Sequence, residues 1–146
     1  MDNMVKAGIV GISGYGGVLL GELLAAQGEG IASVDVAVVR SPEKYADKLA
    51  QLKAQAPGVR IFQSLEEAAA SGTALDLMVL PTGISAHREQ LKLSLDAGWN
   101  VLVEKPLAGC MEDAEAMVRS AEESGRFVAV GFQDMYTEKC TSEGWV

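Results

Sequence analysis

Gly8-Ile9-Val10-Gly11-Ile12-Ser13-Gly14-Tyr15-Gly16-Gly17 is the stretch on which the reading of this chain turns. Before it lies an apolar run, Val5 to Val10, interrupted by Lys6 and Gly8; after it come Val18, Leu19, Leu20, Leu23 and Leu24 with helical periodicity. A strand that turns through glycines straight into a helix gathers backbone N–H groups at the positive end of a helix dipole. That is an anion site, and the pyrophosphate of a dinucleotide is its usual occupant. In the pattern G-x-G-x-x-G, Gly11 and Gly16 hold the first and third places, while Ser13 stands where the second glycine belongs. Gly14, without a Cβ, restores room for close backbone approach one residue later. Gly11, Ser13, Gly14, Tyr15 and Gly16 are therefore the candidate phosphate loop. A glycine-rich turn with no ligand would show the same letters, and the rest of the chain separates the two.

At 146 residues the chain fits one domain, with enough length for a sizeable core. Hydrophobic residues make up 49% and charged residues 22%, with a mean hydropathy of +0.16. The formal net charge of −8 supplies no basic stripe for a nucleic-acid backbone. No apolar run reaches the ~18 residues a membrane span needs, and the N-terminus M-D-N-M-V-K does not read as a signal peptide. Cys110 and Cys140 form neither a disulfide framework nor a metal-ligand spacing, and the single histidine, His87, excludes a multi-histidine metal site. The expectation is a soluble cytoplasmic protein with no metal, no nucleic-acid partner and no membrane partner.

Taken in order, glycines at 28 and 30 close the first helix near Gln27. Ser33 to Val39 is β-branched enough for a buried parallel strand. Ser41 and Pro42 suit the N-cap and first turn of a helix running on from Glu43, with Tyr45, Leu49 and Leu52 as its apolar face. Val59 to Phe62 reads as a strand, and Ser64-Leu65-Glu66-Glu67 as a capping box opening a short helix. Leu75 to Leu80 is the fourth strand, stopped by Pro81-Thr82-Gly83; a helix from Ser85 to Ala97-Gly98 follows. Val101 to Val103 is the fifth strand, Met111 to Ser124 a helix, and Phe127 to Phe132 the sixth strand. Strands alternating with helices predict an α/β protein: a doubly wound parallel sheet of the Rossmann type, one three-layer domain over residues 1–136. Residues 137–146 have no periodicity and read as a tail.

The end of the second strand bears on which dinucleotide binds. A carboxylate there would accept from the ribose 2′-OH of NAD, whereas an arginine accommodates the 2′-phosphate of NADP. Asp35 lies about four residues too early, roughly 13 Å short at ~3.3 Å per residue. Arg40 and Ser41 stand at the strand end instead, and the guanidinium fork suits a phosphate. NADP is the expectation, with NAD as the alternative.

Val101 to Gly109 reads V-L-V-E-K-P-L-A-G, which puts Lys105 just past the carboxyl end of the fifth strand. The Glu104-Lys105-Pro106 block resembles the signature of the Gfo/Idh/MocA oxidoreductases. Pro81-Thr82-Gly83 with His87, Asp96-Ala97-Gly98 through Pro106, and Val130-Gly131-Phe132-Gln133 with Tyr136 are similar to that family's pattern too, so the resemblance spans nearly all of residues 4–136. It implies a Rossmann domain binding a nicotinamide dinucleotide, with Pro81 and Thr82 beside the nucleotide. It implies that Lys105 bonds the reacting oxygen of a sugar-like or polyol-like substrate and stabilises alkoxide charge as hydride leaves, with Glu104 holding the lysine. His87 reads first as a packing or helix-surface residue, with support of the cofactor loop as the other reading.

The family's pattern continues past the sixth strand into a second α/β domain, which supplies most of the substrate pocket, an aspartate–histidine pair and usually the oligomer interface. Ten residues follow Tyr136 here. The expectation is the cofactor half of a dehydrogenase, truncated relative to the family and turning over little by itself. A non-catalytic nucleotide-binding or oligomerisation module is the alternative, and a homo-oligomer stays open. The Ser13-Gly14-Tyr15-Gly16-Gly17 turn also suggests a semialdehyde-dehydrogenase-type reductase. The want of a cysteine in a suitable loop, and the Glu-Lys-Pro block, argue against it.

Overall fold

The computed structural model describes residues 4–137, 140 and 142. Its elements follow one another as β1 (Val5–Val10), α1 (Tyr15–Gly28), β2 (Ala32–Val38), a 3-10 turn (Pro42–Tyr45), α2 (Ala46–Gln55), β3 (Arg60–Phe62) and α3 (Leu65–Ala70). Then come β4 (Leu77–Leu80), α4 (Ile84–Asp96), β5 (Asn100–Glu104), α5 (Met111–Ser124), β6 (Val128–Gly131) and a second 3-10 turn (Gln133–Tyr136). All pairings are parallel, in the order β3-β2-β1-β4-β5-β6. This is the doubly wound Rossmann order, and it reverses direction between β1 and β4. The expected single α/β domain is what the chain forms.

The strands are apolar almost without interruption because both faces of the sheet are covered. Period-two alternation sends Val10, Val36, Val38, Met78, Leu80, Val101 and Val103 to one face, where Leu65, Leu91, Leu95 and Met117 of α3, α4 and α5 close over them. Ile9, Val34, Ala37 and Val79 face the other way, under Leu20 of α1 and Leu49 and Leu52 of α2. Beyond the sheet edge, Trp99 is buried with its indole Nε1 donating to the Thr73 carbonyl at 3.2 Å, which joins the loops before β4 and β5.

Element boundaries agree with the sequence reading to within about two residues, with three differences. Pro42–Tyr45 is a 3-10 turn, and the α-helix starts only at Ala46. Ser41 precedes that turn without a side-chain capping bond, so its hydroxyl is not used as an N-cap. β4 begins at Leu77; Leu75 lies before it, buried against Gly8 and Met78. The N-cap half of the capping box forms, Ser64 Oγ accepting from the Glu67 N–H at 3.2 Å, while Glu67 Oε2 accepts from the N–H of Gln63, one residue before the cap, at 3.0 Å. Of the expected tail, only Thr137, Cys140 and Ser142 lie within the described residues. Among the described residues no helix is long and apolar enough to cross a membrane.

Candidate nucleotide-binding site

Where strand order reverses, the loops after β1 and β4 leave the sheet in opposite directions and open a crevice at the carboxyl edge. A groove of about 750 Å³ occupies that place, a size suited to a small-molecule ligand. Gly11 to Ser13 form one part of its lining, Arg40, Ser41 and Lys44 another, and Pro81, Thr82 and Gly83 a third.

Local backbone geometry explains the glycines. Gly14, the residue before α1, has φ 56° and ψ −133°, a conformation that L side chains avoid. Gly16 is buried where the first turn of α1 crosses the end of β1. A Cβ there would stand 2.7 Å from the Gly11 carbonyl oxygen and 3.3 Å from Pro81 Cγ. Helix and strand can approach this closely only without a side chain. The N-terminus of α1 carries no side-chain cap and no acidic residue in its first turn. Its positive end therefore faces the groove loop uncompensated by the chain's own carboxylates.

Ser13, in place of the second glycine, lines the groove and points its hydroxyl at Tyr45, donating to Oη at 3.3 Å. This ties the loop after β1 to the 3-10 turn after β2. The β1–β2 register explains Asp35: Ala7 lies opposite Val34 but Gly8 opposite Val36, so Asp35 is the extra residue of a bulge. It does not line the groove. Arg40 does, exposed at the strand end.

The structure thus brings Gly11, Ser13, Arg40, Ser41, Pro81 and Thr82 together around one groove. Gly14, Tyr15 and Gly16 form the turn and first helical residues behind it. Glu104 and Lys105 stand at the same sheet edge, one strand further on and outside the groove lining. Leu80 pairs with Val103, so the loops after β4 and β5 leave the sheet side by side. Lys105 is exposed, whereas Glu104 is 8% exposed and packs against Gly131, where a Cβ would come within 2.5 Å of its Oε1. Glu104 Oε2 accepts the backbone N–H of Lys105 at 3.2 Å, so the carboxylate holds the lysine by its main chain.

The sequence reading missed Lys44 and Tyr45 on the groove, along with Glu66 and Glu89, which bring carboxylates to the same lining. The 3-10 turn carries Lys44 and Tyr45 to the groove, and an α-helix assumed from Glu43 obscures that. Glu66 was findable in principle, since every βα loop of a parallel sheet emerges at the carboxyl edge.

Comparison with known proteins now bears on the site. Residues 5–132 match the family model described as "Oxidoreductase family, NAD-binding Rossmann fold", that of GFO_IDH_MocA. The chain belongs to the Gfo/Idh/MocA oxidoreductase family. It is 27% identical to scyllo-inositol 2-dehydrogenase (NADP(+)) of Bacillus subtilis over 126 residues, covering 86% of this chain and 32% of that protein. It is 32% identical over 104 residues to 4-carboxy-2-hydroxymuconate-6-semialdehyde dehydrogenase of Sphingobium sp., covering 70% of this chain and 33% of the relative. Among solved structures, the WlbA dehydrogenase of Bordetella pertussis in complex with NADH and UDP-GlcNAcA superimposes with a TM-score of 0.79 at 27% identity, over 95% of this chain and 39% of that one. The apo scyllo-inositol dehydrogenase of Lactobacillus casei shares the fold, with a TM-score of 0.82 over 99% of this chain and 41% of that one. The chain spans about a third of the length of these curated relatives. The matched part is the family's NAD-binding Rossmann domain.

Proposed function

We propose that this chain is the cofactor-binding half of a dehydrogenase, residues 1–136 forming the nucleotide-binding unit, and that it prefers NADP(H) to NAD(H). The preference rests on one observation: Arg40 and Ser41, joined by Lys44, line the groove at the end of β2, while the one carboxylate of that strand, Asp35, lies in a bulge away from it. Gly11 to Gly16 and the uncapped start of α1 fit a pyrophosphate, and the groove has room for the nucleoside beyond it. A 2′-phosphate would meet the guanidinium of Arg40 and the ammonium of Lys44. Glu66 and Glu89 share the groove, so an anion is favoured beside Arg40 and Lys44 and not along the whole lining. That the Bacillus subtilis relative is named as an NADP(+) enzyme supports the reading.

A bound nicotinamide supplies a hydride acceptor or donor. In this reading Lys105, exposed past β5, bonds the reacting oxygen of a sugar-like or polyol-like hydroxyl or carbonyl substrate and stabilises charge developing on it. Glu104 fixes the lysine's backbone. Alone, the chain turns over little. His87 is its one histidine, is 1% exposed, and has both ring nitrogens against backbone carbonyls, so no imidazole is free to carry a proton. General acid–base help is commonly worth ~10²–10⁴-fold.

Calorimetric titration of NADPH and NADH into wild type and Arg40→Ala tests the preference. The expected result is NADPH binding weakened about tenfold by the substitution, in line with loss of a charge-assisted bond, with NADH unchanged. Equal affinities for the two nucleotides in wild type, or a substitution that weakens neither, would refute it.

A further inference from the structure

His87 sits in the first turn of α4, buried, between two loops that the sequence reading assigned to different tasks. Its Nε2 lies 3.0 Å from the carbonyl oxygen of Thr82, which lines the groove. Its Nδ1 lies 3.1 Å from the carbonyl oxygen of Leu107, two residues past Lys105. Both partners are acceptors. A neutral ring has one N–H, so it donates to one of the two carbonyls and lies in contact with the other. Thr82 is held a second time from the same helix, since its Oγ1 donates to Gln90 Oε1 at 2.6 Å. Leu107 packs against the core cluster that contains Leu91 and Leu95 of α4.

A dinucleotide in a doubly wound fold lies across the switch point, with its two nucleotides over the two halves of the sheet. Adenosine belongs over β1 to β3, where Arg40 and Lys44 stand. The nicotinamide end belongs over β4 to β6, where Thr82 and Lys105 stand. The His87 ring lies within hydrogen-bond distance of a backbone carbonyl from each of those loops. We propose that His87 is a positioning residue: seated between the Thr82 and Leu107 carbonyls, with its one N–H donating to one of them and the ring in contact with the other, it sets the spacing between the groove wall and the Lys105 loop, and so shapes the site for the nicotinamide half. This rests on the nucleotide-binding reading above.

The two halves of the ligand make the role separable from simple packing. NADPH and 2′,5′-ADP, which lacks the nicotinamide nucleotide, are titrated into wild type, His87→Leu, His87→Gln and His87→Asn. Melting followed by circular dichroism confirms that each variant is folded. His87→Leu removes the hydrogen bond and both polar contacts and is expected to weaken NADPH about five- to tenfold, the effect of losing one hydrogen bond, while 2′,5′-ADP binding stays within about twofold. The Gln amide can donate from near the Nε2 position and the Asn amide from near Nδ1, so each should recover part of the loss. Should His87→Leu not fold, the Gln and Asn variants carry the comparison, and NADPH loss without 2′,5′-ADP loss is again the expected pattern. Equal weakening of the two ligands, or of neither, in a folded variant would overturn the positioning role and leave His87 as packing. A wild type that binds neither ligand would overturn the nucleotide reading itself, and the role of His87 with it.

Discussion

The glycines of the first loop divide into those that set a backbone angle and one that permits contact. Gly16 is the contact glycine, because an added Cβ meets the fixed backbone oxygen of Gly11 and no flexible side chain can yield. Gly16→Ala is expected to cost on the order of 1–3 kcal/mol, as overpacking does, and to weaken nucleotide binding as α1 shifts away from β1. Urea denaturation with a parallel titration checks both effects; an unchanged midpoint would contradict the close-approach account. What the letters of the sequence disclosed at this scale was position along the chain. Gly11, Ser13, Arg40, Ser41, Pro81 and Thr82 were legible because each follows the end of a strand, and strand ends converge at one edge in a parallel sheet. Tyr45 was misleading because its spacing to Leu49 and Leu52 fits an α-helix, whereas the 3-10 turn lets its ring pack on the core and its hydroxyl receive Ser13. For His87 the sequence offered packing or support of the cofactor loop, but its partners were out of reach of spacing, since both are backbone carbonyls, one of them 20 residues away.

At the scale of elements, α4 and α5 pack side by side over β4, β5 and β6 and are joined at their surface by Arg88 and Asp113, 2.8 Å apart. The Arg88 hydrogen bond, and secondarily the Cys110 thiol, hold the Asp113 carboxyl below its ordinary value, and Asp113 in turn raises Arg88. A carboxyl whose folded value is depressed stabilises the fold above its unfolded value of about 3.9 and loses that contribution as the pH falls through the lower folded value. Both groups are exposed and the effect is small. Asp113→Asn should therefore lower the thermal midpoint slightly at pH 7, and the gap to wild type should close as the pH falls below about 3.9. A gap that persists unchanged to low pH would assign it to something other than the ion pair. Helices and strands were legible because period-two and period-3.6 patterns seldom overlap in this chain, and Met111–Ser124 was bounded to the residue. The bulge at Asp35 was not, because a register shift depends on the partner strand and leaves no mark in a strand's own alternation.

For the whole molecule, a six-stranded parallel sheet places every βα loop at one edge, and the order reversal fixes where a ligand can lie. In a chain of net charge −8, the groove lining carries Arg40 and Lys44 alongside Glu66 and Glu89, and the uncapped positive end of α1 lies behind it. The chain spans about a third of its curated relatives and matches the family's NAD-binding Rossmann domain over residues 5–132. The most direct measurement is amide-resolved NMR of the 15N-labelled chain titrated with NADPH. The account predicts saturable shifts concentrated at Gly11 to Gly17, Arg40 to Tyr45, and Thr82 to Gly83, with the far edge of the sheet, at the strand N-termini, unmoved. Binding that leaves those amides still, or no binding at millimolar nucleotide, would contradict it.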